Sequence, residues 1–183
     1  SDVILQTINN RPARGICGSG LFHLVEAFYS KGLIKRDGTI VDAEQITDPK
    51  IKKLFQKKIT KFDGIKSIKL VDKSKEIHLT LKDVRAFQLA RSAIISAWDI
   101  LCKESGCRPE EIEEVYIAGA FGNYIRPDTA LRLGLVPHVG LEHIHFIGNA
   151  ALEGARMVLL NRGNLQFIQK LMKKTRFMEL GGR

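Results

Sequence analysis

The stretch VYIAGAFGNYIRPDTALRLGLVP (115–137) decides the fold. It reads as a short buried strand, with Val115 and Ile117 on one side, running straight into a glycine turn, Gly119-Ala120-Phe121-Gly122-Asn123. Pro127-Asp128 then opens a helix that Gly134 stops. A strand ending in Gly-x-x-Gly exposes main-chain N–H groups that no side chain covers, so a flat or anionic group can approach the backbone. In open α/β sheets ligands sit at the carboxyl ends of the strands, where such a turn lies. Asn123 has an amide to offer a ribose, a base or the turn itself. Taken alone the turn also reads as a purely structural bend. It is not the GxGxxG fingerprint, the acidic residue about 20 positions further on is missing, and the chain contains no GxxxxGK[ST] phosphate loop.

Working outward, HIHFIG (143–148) is a second short strand, followed by the small-faced helix start GNAALEGA (148–155) and a basic helix over about 164–174. The small face reads first as a surface for close packing. Upstream, GICGSG (15–20) precedes LFHLVEAFYSKG, where Leu21, Leu24, Val25 and Phe28 recur at helical spacing and Gly32 ends the helix. Glycines at a helix start suit a phosphate or simply a tight turn. The longest helical pattern covers about 82–105, with Val84, Phe87, Ala90, Ala97 and Leu101 in its apolar stripe. Between these, Asp37-Gly38 is a turn, 50–62 is a weak lysine-rich loop or frayed helix, and 65–72 and 75–81 form a hairpin turning at Asp72 to Ser74. Strands alternating with helices late in the chain, and a meander in the middle, predict an α/β layered domain with a small, basic α+β insertion at about 36–80.

The 183 residues, 44% of them apolar and 27% charged, suit a single globular domain and exclude a disordered tail or a disulfide-stapled miniprotein. No apolar run approaches the roughly 18 residues of a membrane span, and SDVILQTINN lacks a basic start followed by an apolar stretch. The net charge of +9 is concentrated: residues 50–85 carry twelve Lys/Arg against four Asp/Glu, and 156–183 carry seven against one. Such surfaces attract anions. No aromatic residues interleave with the lysines as base-stacking platforms, so nucleic acid is not expected. A solvated sheet face and a docking face for an acidic protein remain as readings.

Cys17, Cys102 and Cys107 form no CxxC pair and read as reduced thiols of a cytoplasmic protein. Cys17, at a helix start, has no visible neighbouring base to make it reactive. An iron–sulfur site needs about four spaced ligands. His143 and His145 lie close in sequence with no third ligand beside them, so no metal is expected.

The order of long helix, buried strand, glycine turn, short helix, strand and small-faced helix resembles the second lobe of the actin-like ATPase superfamily. More narrowly, GICGSGLFHLVEAFYSKGLIKRDGTI (15–40), IHLTLKDVRAFQLARSAI (77–94), VYIAGAFGNYIRPDTALRLGLVP (115–137) and FIGNAALEGARMVLL (146–160) resemble reductive activators of corrinoid proteins. The resemblance implies a ribonuclease-H-like lobe and ATP, with Mg²⁺, bound between two such lobes. An iron–sulfur module elsewhere in the protein would supply one electron, returning cobalt(II) of a corrinoid methyl-transfer protein to cobalt(I). It implies that Gly119, Ala120, Phe121, Gly122 and Asn123 form the adenosine turn and that Gly18, Ser19 and Gly20 face the nucleotide cleft. Phe121 is assigned as a cover for the base.

Two features of that family are missing: the Asp-x-Gly-Thr phosphate turns and the iron–sulfur ligands. The chain is therefore expected to be one partial lobe, 1–183, of a longer activator, inactive alone and supplying the adenosine half of the ATP site. The alternatives are a fragment of another actin-like ATPase, such as a sugar kinase or chaperone, and a non-enzymatic basic docking module.

Overall fold

The computed structural model describes residues 7–71, 76–119 and 124–179. The hairpin turn expected at Asp72–Ser74, and Ala120, Phe121, Gly122 and Asn123 of the glycine turn, lie outside the described residues. The chain divides into two compact units, Ser1–Ile94 with Arg132–Leu135, and Ile95–Leu131 with Val136–Arg183.

The first unit is built on helix α1 (Gly18–Ser30), whose Phe22, Val25 and Phe28 are buried one turn apart. Gly32, at φ +69°, ends it in the left-handed conformation that glycine tolerates. The chain returns through a bridge between Ile34 and Ile40, turning at Asp37-Gly38. Helix α2 (Pro49–Phe55) is capped by Asp48, whose carboxylate accepts from the N–H groups of Lys50 and Ile51. Strands β1 (Ile59–Phe62), β2 (Ile65–Val71) and β3 (Ile77–Thr80) then form an antiparallel meander in the order β1-β2-β3. The lysine-rich segment expected as a loop or frayed helix thus contains both a helix and a strand. Its alternation is weak because each face of this four-residue strand mixes apolar and polar side chains, Ile59 with Lys61 on one and Thr60 with Phe62 on the other.

Ile68, Leu79 and Val84 are fully buried, with Leu33 and Ile40 beside them in the core. Two edge-to-face aromatic pairs, Phe22 with Phe87 and Phe28 with Phe55, at centroid separations of 4.9 and 5.4 Å, tie α1 to the elements around it. The buried Ser67 hydroxyl is satisfied by His78 Nδ1 at 3.1 Å, and the His78 ring stacks on Phe62.

Helix α3 (Leu81–Ser105) begins in a reciprocal cap: the Asp83 carboxylate accepts from the Thr80 N–H and hydroxyl, and Thr80 Oγ1 accepts from the Asp83 N–H. Only part of the expected stripe is covered. Val84, Phe87 and Cys102 are buried, whereas Ala90 and Leu101 are exposed.

In the second unit, β4 (Val115–Ile117) and β5 (Ile144–Phe146) form a parallel pair with Val115 opposite Ile144 and Ile117 opposite Phe146. The strand expected to be buried is only half covered: Val115 and Ile117 are intermediate, and Tyr116 is exposed. Helix α4 (Pro127–Arg132) follows β4, and helices α5 (Ala150–Leu160) and α6 (Gly163–Lys174) follow β5. Leu159, Leu160, Phe167 and Met172 stand exposed on the last two helices.

Candidate nucleotide site

Two bare main-chain elements carry the chemistry assigned from the sequence, one in each unit. The first is the amino terminus of α1. Cys17 caps it in an extended conformation, and its sulfur accepts from the Gly20 N–H at 3.4 Å. The Leu21 N–H is taken by the Cys17 carbonyl at 2.9 Å. Among the described residues, the N–H groups of Gly18 and Ser19 meet no acceptor. A Cβ on Gly18 would meet nothing within 4 Å, so there is room beside this helix start. Gly20 differs: a Cβ there would press on the Cys17 sulfur at 3.1 Å, which is why a glycine stands inside the first turn. The Ser19 hydroxyl, and after it the Gly20 N–H, pull the Cys17 thiol below its ordinary pKa. A local environment that favours a thiolate favours other anions as well.

The second element is the carboxyl end of the parallel pair. β4 and β5 end in Gly119 at φ +85° and Gly148 at φ +62°. The Gly119 N–H donates to the Gly148 carbonyl at 2.6 Å, which locks the two turns side by side. A Cβ on Gly119 would meet nothing within 4 Å. Asn149 caps α5 through its side chain on the Leu152 N–H. The small face of α5 is open rather than covered: nothing lies within 4 Å of a Cβ on Gly154, and Ala151 and Ala155 are exposed. The close packing expected there is not made among the described residues.

Sequence reasoning missed one cluster. Glu114, just before β4, reaches both His143 Nδ1, at 3.1 Å, and His145 Nε2, at 2.5 Å. His143 and His145 therefore do have a third polar group beside them, brought by strand pairing across about thirty residues. Among the described residues, no group of three or more His, Cys, Asp or Glu has an arrangement able to hold a metal ion.

Residues 1–183 match the family described as the C-terminal domain of RACo, the ASKHA domain. The chain belongs to that family. As a RACo-type C-terminal domain it is an actin-like ATPase domain of α/β architecture. It is 30% identical over 180 residues to the corrinoid activation enzyme RamQ of Eubacterium limosum, covering 97% of this domain and 30% of that protein. It is 36% identical over 98 residues to the [Co(II) methylated amine-specific corrinoid protein] reductase of Methanosarcina barkeri, covering 54% of this domain and 18% of that protein. Among solved structures, the reductive activator for corrinoid, iron-sulfur protein superposes with a TM-score of 0.75 at 28% identity, over 92% of this domain and 26% of that chain. The domain thus spans less than a third of each relative's length. The family match displaces the readings as part of a sugar kinase or chaperone.

Proposed function

We propose that this domain is the nucleotide-binding lobe of an ATP-dependent reductive activator that returns cobalt(II) of a corrinoid methyl-transfer protein to cobalt(I). The observation that carries this reading is the glycine-terminated strand pair at Gly119 and Gly148, whose uncovered main chain suits a ribose or base. In the other unit, taken by itself, the helix start at Gly18 and Ser19 suits a phosphate. The RamQ and methylated-amine reductase relatives supply the corrinoid substrate. Gly18, Ser19, Gly20, Gly119, Ala120, Phe121, Gly122 and Asn123 are the residues assigned to ATP. Residues 36–80 are read as a basic insertion in one partial lobe, and the protein as cytoplasmic.

Mg²⁺ and an iron–sulfur cluster do not fit the described residues. Among the described residues no group of three or more His, Cys, Asp or Glu has an arrangement able to hold a metal ion, and Cys17, Cys102 and Cys107 are free thiols. Both would belong to other parts of the activator. The domain's own task is to bind and orient the nucleotide.

The insertion suggests where an acidic corrinoid protein docks. Lys50 and Lys53 on and beside α2, Lys57, and Lys61 on β1 are exposed, with no carboxylate partner among the described residues. The test is the full-length activator mixed with reductant, ATP and a cobalt(II) corrinoid protein. Absorbance should report cobalt(I), only with ATP present. No spectral change with all components present refutes the reading.

A further inference from the structure

We propose that a cavity in the first unit, separate from the residues assigned to ATP, binds a small organic anion: an apolar body ending in a carboxylate or a phosphate. The cavity lies between α1, the 34–38 turn, the first half of α3 and residues 132–133. Its volume of about 350 Å³ is within the range of ligand pockets. None of Gly18–Gly20 or Gly119 lines it.

Its floor is apolar. Val25, Ile34, Val84, Phe87 and Leu133 line it, and all are core residues no more than 6% exposed. Its rim is cationic, with Lys35 and Arg36 from the turn, Arg91 from α3 and Arg132 converging from three segments. Three of these side chains are oriented through Nε. Arg36 donates to the Tyr29 hydroxyl at 3.3 Å, Arg91 to the Leu133 carbonyl, and Arg132 to Glu26 Oε1 at 2.7 Å. A guanidinium held by Nε keeps its terminal nitrogens as donors. Among the described residues, those of Arg36 and Arg91 meet no acceptor, and Lys35 feels the exposed carboxylate of Asp37 on the same turn without a close ion pair. Glu26, at the edge of the cavity, pairs with Arg132.

Four cations around one cavity repel each other, and the repulsion is stronger over an apolar floor than in water. A bound anion removes that repulsion and accepts the fork geometry of the arginines. The floor accepts a hydrocarbon body of limited size. Neither a bare anion nor a neutral hydrocarbon uses both halves of the site.

The test is calorimetric titration of the full-length protein with phenyl phosphate, benzoate, inorganic phosphate and benzyl alcohol, each with ATP at saturation. Phenyl phosphate, benzoate or both should bind saturably at one site, and which one binds identifies the preferred terminal group. A Lys35→Gln/Arg36→Gln variant should bind about tenfold or more weakly. Both residues are exposed on the turn, so the fold survives their replacement. Four results would overturn the proposal. These are saturable binding of neither aromatic acid, equal affinity for inorganic phosphate or benzyl alcohol, loss of binding when ATP is added, and unchanged affinity in the double variant.

Discussion

Arg132 donates through Nε to Glu26 Oε1 at 2.7 Å, a pair that closes 106 residues of chain. Glu26 is buried at 7% exposure and also accepts from the Ser30 hydroxyl at 2.8 Å, whereas the Arg132 side chain is half exposed. The two partners therefore differ in what their loss leaves behind. Arg132→Gln leaves a buried carboxylate with one donor. Glu26→Ala leaves an arginine able to reach water. Arg132→Gln should cost about 1–3 kcal/mol, and Glu26→Ala less. A double-mutant cycle by urea unfolding measures both, and Glu26→Ala proving the costlier change would contradict this ordering.

Gly18 and Gly119 separate nucleotide binding from folding. Both have open space at Cβ, but only Gly119 has a positive φ. Alanine at Gly119 strains the backbone by about 1–2 kcal/mol, so lost ATP affinity there is mixed with lost stability. A β-branched residue at Gly119 is strained for the same reason. Gly18→Ala costs the helix nothing and gains up to about 1 kcal/mol of helix propensity, yet puts a methyl group beside the two open N–H groups. Equilibrium dialysis on the full activator should show ATP affinity reduced about tenfold by Gly18→Ala, with thermal stability equal or higher. Unchanged affinity would mean that the helix start is only structural.

The hydrogen bond from Glu114 raises the pKa of His143 above its ordinary value. The same bond, and then that from His145, lowers the pKa of Glu114. The histidine's contribution is complete below the ordinary imidazole pKa and disappears as pH rises through the raised one. The carboxylate's contribution is complete above the ordinary range and disappears as pH falls through the lowered one. The pair thus acts in the window between the two. NMR titration should show Glu114→Gln moving the His143 pKa down toward the imidazole norm. An unmoved titration would show that the contact does not persist in solution.

Charge reversal on the insertion should distinguish its lysines. Lys66 is paired with Asp42 at 2.6 Å and Lys69 with Glu76 at 3.0 Å, so their charge is already partly answered. Lys50→Glu, Lys53→Glu, Lys57→Glu and Lys61→Glu together should slow activation of the corrinoid protein strongly at low salt. The slowing should fade as salt screens the surface. Reversal of Lys66 and Lys69 should have the smaller effect. Activation rates measured over a salt series check this, and equal rates for all variants would remove the docking role.

Much of the fold was legible because it is written in short-range pattern. Leu21, Leu24, Val25 and Phe28 recur at helical spacing, although Phe22 rather than Leu21 or Leu24 joins Val25 and Phe28 in the core, and Gly32 and Gly134 stop helices at positive φ. β1 was not legible, since in four residues with Ile59 and Lys61 on one face and Thr60 and Phe62 on the other there is no apolar alternation to recognise before a partner strand is known. The candidate nucleotide site was legible only as bare backbone, because glycines report what the chain permits and not what approaches it.

The sequence by itself determined the family, most of the strands and helices, and the glycines at the strand ends, since these depend on residues a few positions apart. Only the tertiary structure decided that Glu114 meets two histidines, that Arg132 reaches Glu26, and that four cations surround one apolar floor. Those contacts join residues tens of positions apart, and hydrophobic burial, which is blind to sequence distance, brings them together.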